Sequence, residues 1–228
     1  MSIKRNNHVI NFSKGYLIIG IICSLIFGIT CFLIQTNFQP LINMEQSLME
    51  SFQKTFNYPQ MNYDGEFLQT FMTFSATLGN PIAYIIITAT FALVLFINKF
   101  KDLSLWFLGV ISTGGLLGAV MKRIFQRPRP MGHLIQDKGF SFPSGHAIGS
   151  TLFFLTILLV FIPLIKNKGI RICISMLSIG LWAAILFSRL YFNAHYLGDL
   201  IAGISFASFW VLAGLYVYNV TSKEKSAK

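Results

Sequence analysis

Three short stretches of the chain hold most of the side chains that could carry out nucleophilic or acid–base chemistry. Residues 122–130 read KRIFQRPRP, residues 143–146 read PSGH and residues 188–199 read SRLYFNAHYLGD. Lys122, Arg129 and Arg189 would supply positive charge. Arginine suits a tetrahedral anion because its planar guanidinium can donate two hydrogen bonds at once. The residue types therefore indicate a phosphate site.

The second stretch is predicted to start a helix and to form part of this site. Ser144 is a natural N-cap, and the free backbone N–H groups of the first helical turn bind anions. Gly145 would let a phosphate approach the backbone closely. Such a cradle stabilises the negative charge of a phosphoryl transition state.

The two histidines of these stretches can divide the chemistry between them. His195 and Asp199 are four residues apart and are neighbours if a helix begins before His195. Asp199 would then fix the tautomer of His195, whose other nitrogen could attack phosphorus. His146 would protonate the departing oxygen and later activate water. The sequence predicts a reaction with no metal and no cofactor, since no cluster has the carboxylates that Mg²⁺ or Ca²⁺ needs, and the cations would repel zinc.

The composition predicts that membrane helices position these groups. Of the 228 residues, 54% are hydrophobic and 11% are charged, against about 25% charged in soluble domains. Apolar runs long enough to span a bilayer predict an all-α, polytopic membrane protein with a single domain, 1–228. The six spans are expected at about 16–35, 81–98, 103–123, 146–165, 170–190 and 198–219.

The distribution of cations predicts the orientation of these spans. With the N-terminus inside, eleven of the eighteen Lys and Arg residues lie on the cytoplasmic side, as the positive-inside rule requires. Both termini are then cytoplasmic, and the three stretches lie together on the extracytoplasmic side. The cations lie between apolar spans rather than on one soluble basic face, so nucleic acid is not an expected partner.

Residues 36–80 are predicted to form an outer interfacial segment. Leu41, Met44, Leu48, Phe52 and Phe56 recur at helical spacing, which is typical of a helix on a membrane surface. A second helical piece of the same kind, FLQTFMTFSATLG at residues 67–79, is predicted to end at Asn80-Pro81. The segment could be a wall or gate for a lipid substrate, or simply a cover for the outer end of the bundle.

Two simpler explanations apply to parts of this pattern. Lys and Arg near helix ends often extend toward lipid headgroups, and His8 and His133 are interpreted as packing or polar-edge residues. The combined set is different because ionisable groups at membrane depth are costly and usually functional. A non-enzymatic lipid-phosphate transporter or binding protein would also use the cations, but it would not need His146 with the His195–Asp199 pair.

The three motifs together resemble the signature of the type 2 phosphatidic acid phosphatase (PAP2) superfamily. The matching positions are Lys122, Arg129, Pro130, the Pro-Ser-Gly-His of 143–146, Ser188, Arg189, His195 and Asp199. The resemblance implies His195 as nucleophile, Asp199 as its partner and His146 as acid/base. It also implies phosphate binding by Lys122, Arg129, Ser144, Gly145 and Arg189.

The resemblance also narrows the expected substrate. The family includes soluble vanadium haloperoxidases, but six spans favour its integral-membrane lipid phosphatases. The short chain is most similar to bacterial members that act on phosphatidylglycerol phosphate or undecaprenyl diphosphate. An outward site slightly favours undecaprenyl diphosphate, which is released outside the cell. Phosphatidylglycerol phosphate follows closely, and broad specificity is compatible with the motifs.

Overall fold

The computed structural model describes residues 13–134 and 137–227, with side chains to residue 221. These residues form helices, with the longest connection at residues 126–144, and no strand occurs among them, which confirms the predicted all-α class. The helices are α1 Lys14–Gln35, α2 Gln39–Phe56, α3 Phe67–Leu78, α4 Pro81–Ile97, α5 Lys101–Phe125, α6 Gly145–Thr156, α7 Lys168–Tyr191 and α8 Leu197–Ala227.

Five of the helical segments are individually long and apolar enough to cross a membrane: Lys14–Gln35, Lys101–Phe125, Gly145–Leu164, Lys168–Tyr191 and Leu197–Thr221. The remaining predicted span is α4, which has 17 residues. Helices α3 and α4 meet at a bend of 61°, and counting them as one broken span gives six. The predicted boundaries agree within a few residues, except that α8 continues to Ala227.

The bend between α3 and α4 has a local cause in the sequence. The side-chain oxygen of Asn80 accepts a hydrogen bond from the N–H of Ile82, at 2.9 Å, and so caps α4. Pro81 follows at the first helical position, where its missing N–H costs nothing. Asn80-Pro81 therefore ends α3 and starts α4, as the sequence predicted.

Helix α6 lies at the centre of the bundle and contacts α4, α5, α7 and α8. Its approach to α5 depends on two glycines. A Cβ added to Gly114 would lie 2.8 Å from Leu152, and one added to Gly118 would lie 2.7 Å from Ile148. Both distances are shorter than van der Waals contact. Gly114 and Gly118, four residues apart, therefore allow close helix packing.

The last part of the α6 span is irregular. A π-helical turn occupies Ile157–Phe161 and a 3₁₀ turn occupies Ile162–Leu164. Pro163 lies in the second turn, and proline cannot donate the hydrogen bond that a regular α-helix requires. The irregularity is at the opposite end of the span from Ser144.

Helices α2 and α3 form much of the predicted interfacial segment, and both contact α7. The ring centroids of Phe52 and Phe56 lie 5.8 Å and 6.4 Å from that of Phe187. Part of the apolar stripe of α2 is therefore covered by protein, which fits the alternative that the segment covers the outer end of the bundle. The same helix buries the carboxylate of Glu45.

Some of the charges used to predict orientation fall outside the described residues. These charges are Lys4 and Arg5 and the side chains of Lys223, Lys225 and Lys228. His8 also lies outside the described residues. The cytoplasmic location of both termini stays a prediction.

Candidate active site

The three sequence clusters meet at one end of the helical bundle. The backbone N–H of Ser144 donates to the carbonyl of Asp199 at 3.1 Å, which joins the second and third clusters. Arg129 of the first cluster donates from Nη1 to the carbonyl of Ala194 at 2.7 Å. The fold therefore assembles one site from the end of α5, the start of α6 and the connection between α7 and α8.

His195 and Asp199 lie within ion-pair distance of each other but without a hydrogen bond to Nδ1, and the local structure differs from the predicted one. Helix α8 begins at Leu197, so His195 lies just before the helix rather than inside it. The chain nevertheless brings His195 Nδ1 to 3.4 Å from Asp199 Oδ2. The same carboxylate oxygen accepts the N–H of Tyr196 at 3.0 Å, which fixes Asp199 within the first turn of α8.

The other ring nitrogen of His195 faces cations. Its Nε2 lies 3.3 Å from Nη1 of Arg129. Since a guanidinium can only donate, Nε2 must be the acceptor, and the ring proton belongs on Nδ1, toward Asp199. This is the tautomer that leaves a lone pair on Nε2.

The surroundings of His195 also disfavour its protonation. Burial lowers the pKa of this imidazole well below its ordinary value, and the positive charges of Arg189, Lys122 and Arg129 lower it further. His195 is therefore neutral at physiological pH, as a nitrogen nucleophile must be.

His146 is the second residue of α6, and its imidazole contacts α3. Its Nε2 lies 3.2 Å from the carbonyl oxygen of Ala76. Because a carbonyl only accepts hydrogen bonds, Nε2 carries a hydrogen, and Nδ1 is the position that can exchange a proton. A Cβ on Gly79 would lie 2.7 Å from His146 Cδ2, so the glycine after α3 makes room for this ring.

The start of α6 has the predicted features of an anion cradle. Ser144 Oγ accepts the N–H of Ala147 at 3.4 Å, which identifies Ser144 as the N-cap. No atom lies within 4 Å of a Cβ added to Gly145. Open space therefore lies beside the helix N-terminus, where the sequence placed a phosphate.

The predicted phosphate-binding cations surround this end of the bundle. Lys122 lies in the last turn of α5. The Arg129 guanidinium also donates from Nε to the carbonyl of Gly139 at 3.2 Å. Arg189 is 2% exposed, and its Nη2 donates to Oδ2 of Asp137 at 2.7 Å. A carboxylate of the connection before α6 thus occupies one donor of Arg189.

His133, which the sequence analysis assigned no chemistry, lies in the connection after α5. Its Nδ1 is 2.8 Å from the carbonyl oxygen of Pro130. This local contact fits the interpretation of His133 as a polar-edge residue.

Two charged residues of the site were missed by sequence reasoning. Arg127 was recognised as one of the clustered cations but was given no role, and Glu45 was not singled out. The guanidinium of Arg127 donates to Oδ1 of Asp199 at 2.7 Å and also forms a salt bridge with Glu45. A usable signal was present, because Glu45 lies four residues after Leu41 and three before Leu48, on the apolar stripe of α2. A carboxylate on a buried stripe requires a cationic partner.

The fold and this cluster define an integral-membrane protein with a polar site at one end of its helices. The chain belongs to the PAP2 superfamily, whose model matches residues 103–223, more than half of the chain. With its membrane-spanning helices, this membership indicates a phosphatase of the hydrolase class rather than one of the soluble haloperoxidases of the family.

A solved structure has the same fold. It is the transmembrane PAP2-type phosphatidylglycerolphosphate phosphatase from Bacillus subtilis, which shares 19% sequence identity with this chain. The match covers 90% of this chain and 96% of the other, with a TM-score of 0.74. No curated protein matches the chain significantly.

Proposed function

We propose that the protein hydrolyses a membrane lipid phosphate or diphosphate through a phosphohistidine on His195. The observation that carries the proposal is the orientation of this imidazole. Its protonated nitrogen faces Asp199, and its lone pair faces Arg129. A neutral nucleophile beside several cations is suited to attack an anionic phosphoryl group.

The first step would transfer the phosphoryl group from the lipid to the protein. The Nε2 lone pair of His195 forms a bond to phosphorus while the bond from phosphorus to the lipid oxygen breaks. His146, in its protonated form, gives its Nδ1 proton to that oxygen. Asp199 balances the positive charge that forms on the phosphorylated imidazole.

The second step would release phosphate. Neutral His146 takes a proton from water, whose oxygen attacks phosphorus as the bond from phosphorus to His195 Nε2 breaks. Inorganic phosphate leaves, and both histidines are ready for another cycle. General acid–base catalysis of this kind contributes about 10²- to 10⁴-fold to a rate.

Phosphate binding is assigned to Lys122, Arg129 and Arg189 together with the α6 N-terminus at Ser144 and Gly145. The cations offset the charge of the phosphoryl oxygens, and the backbone N–H groups add fixed donors. Because Asp137 holds one donor of Arg189, a phosphate that takes this donor must displace the Asp137 carboxylate.

The reaction is proposed to require no metal. Two carboxylates of the site, Asp199 and Glu45, share the Arg127 guanidinium, so a side-chain cation already pairs with both. The residues that the structure describes contain no group of three or more His, Cys, Asp and Glu side chains suited to a metal ion.

Undecaprenyl diphosphate is proposed as the slightly favoured substrate, with phosphatidylglycerol phosphate close behind. The predicted outward site favours the first, because this lipid is released outside the cell. The name of the Bacillus subtilis protein favours the second. Broad specificity would accommodate both.

Phosphate release by purified protein in detergent tests the proposal. The panel contains undecaprenyl diphosphate, phosphatidylglycerol phosphate and phosphatidic acid, each measured with and without EDTA. Wild type should release phosphate, and folded His195→Ala should not. No release from any lipid would support the alternative of a lipid-phosphate transporter or binding protein, and loss of activity only with EDTA would contradict the metal-free mechanism.

A further inference from the structure

Three charges, two buried and one half-buried, form a chain that leads from α2 to His195. Glu45 of α2 contacts Arg127 in the connection after α5, and Arg127 contacts Asp199 in the first turn of α8. The side chains of Glu45, Arg127 and Asp199 are 1%, 12% and 0% exposed. Charges removed from water to this extent are retained only when they are paired.

Glu45 also contacts the helix that carries Asp199. Its Oε1 accepts the N–H of Gly198 at 2.8 Å. A Cβ on Gly198 would lie 2.7 Å from the same oxygen, so only glycine permits this approach. Glu45 thus fixes both the guanidinium that holds Asp199 and the turn of backbone next to Asp199.

Arg127 is held on a third side by the residue after His195. Its guanidinium carbon lies 4.2 Å from the ring centroid of Tyr196. The planar fork of arginine can contact two carboxylates and an aromatic face at once, which lysine cannot do. Burial alone would lower the pKa of Arg127, but the charges and hydrogen bonds of Asp199 and Glu45 raise it above its ordinary value.

The balance of charge gives Glu45 a specific effect. Arg127 by itself would neutralise Asp199 and weaken its attraction for the Nδ1–H of His195. The second carboxylate compensates the guanidinium, so one net negative charge stays behind His195. That charge stabilises the imidazolium-like phosphohistidine, in which both ring nitrogens are substituted or protonated.

We propose that Glu45 and Arg127 are positioning residues that hold Asp199 against His195 and keep its negative charge available during phosphoryl transfer. This inference rests on the proposed function. The amphipathic helix α2 is then a working part of the site, since it supplies one of the charges that act on the nucleophile.

The test compares Glu45→Gln with Glu50→Gln in the phosphatase assay. Gln at position 45 keeps the size of the side chain and an oxygen for the Gly198 N–H but removes the charge. Glu50 is an exposed carboxylate on the same helix and serves as the matched control. We expect kcat of Glu45→Gln to fall roughly 10- to 100-fold, with KM within about threefold of wild type because the phosphate-binding cations are unchanged.

The pH profile separates this role from simple loosening of the structure. The charged or titratable groups around His195 are Lys122 of α5, Arg127 and Arg129, His146 of α6, Arg189 of α7 with its partner Asp137, and Asp199 of α8. Removal of a negative charge should lower the pKa of His195, so the acid limb of kcat/KM should move to lower pH. Loosening would admit water to His195 and raise its pKa, which moves the limb the other way.

Arg127→Lys provides a second, independent variant. Lysine keeps the positive charge but cannot contact both carboxylates as the planar guanidinium does. We therefore expect kcat to fall while the acid limb of the kcat/KM profile stays at the same pH. Rates are normalised to folded, monodisperse protein measured by size-exclusion chromatography. The proposal is overturned if either variant keeps the wild-type kcat after this correction, or if the acid limb of Glu45→Gln moves to higher pH. A wild-type protein with no activity would instead overturn the proposed function.

Discussion

The imidazole of His195 is 1% exposed and lies between a carboxylate and several cations. These neighbours oppose one another. Asp199 favours a proton on Nδ1, whereas burial and the cations oppose a second proton on the ring. The result is a neutral imidazole with a defined tautomer, and this follows from its contacts with Asp199 and Arg129 and from the nearby charges of Lys122 and Arg189.

The titration of His195 should show this environment directly. In protein without substrate, we expect its imidazole to titrate below the unperturbed value of about 6.5, because burial disfavours the charged ring. NMR of the protein with ¹³C-labelled histidine, in detergent micelles, measures the pKa, and His195→Gln identifies the signal. A pKa at or above the ordinary value would contradict the arrangement described for Nε2.

At the residue scale, the sequence predicted the groups that carry out the chemistry in the proposed mechanism, but it did not predict the charges behind them. His195 and Asp199 could be predicted from their types and their close spacing, and His146 from its place after the N-cap Ser144. Glu45 and Arg127 are separated by 82 positions, and their pairing depends on how α2 folds back over the bundle. No local pattern fixes such a contact.

At the scale of the helices, the packing of α6 against its neighbours determines where Ser144 and His146 lie. Helix α5 approaches α6 through Gly114. A Cβ added to Gly114 would also lie 2.9 Å from the ring of Trp210 in α8. The apolar runs and the Asn80-Pro81 break predicted the helix boundaries well. The π-helical turn at Ile157–Phe161 could not be predicted, because it depends on how the bundle accommodates Pro163.

Gly114→Val should destabilise the bundle, and Gly115→Val should not. The first substitution forces a branched side chain against Leu152 and Trp210, and overpacking of this kind costs about 1–3 kcal/mol. The second adds the same atoms on the same helix where no atom lies within 4 Å. Thermal unfolding in one detergent measures both, and equal melting temperatures would show that the α5–α6 contact is less tight than described.

At the scale of the whole molecule, the site lies at the end of the bundle where α5 and α7 finish and α6 and α8 begin. The single domain, 1–228, stays a prediction. The side of the membrane on which this end lies is still predicted from Lys and Arg counts alone.

Labelling of single cysteines in intact cells tests this orientation. In a background with Cys23, Cys31 and Cys173 replaced by serine, Tyr63→Cys should react with a membrane-impermeant maleimide. Lys166→Cys, also at an exposed position but predicted inside, should react only after the membrane is permeabilised. The reverse pattern would place the site in the cytoplasm and remove the main argument for undecaprenyl diphosphate.

The ion pair between Arg189 and Asp137 has a consequence for substrate affinity. Before substrate arrives, one arginine of the site already holds an anion supplied by the chain itself. Capture of a lipid phosphate at this arginine is therefore an exchange of one anion for another, and the measured affinity is the difference between two attractions. Such an exchange keeps the arginine from binding stray anions tightly, and the returning carboxylate can help inorganic phosphate to leave.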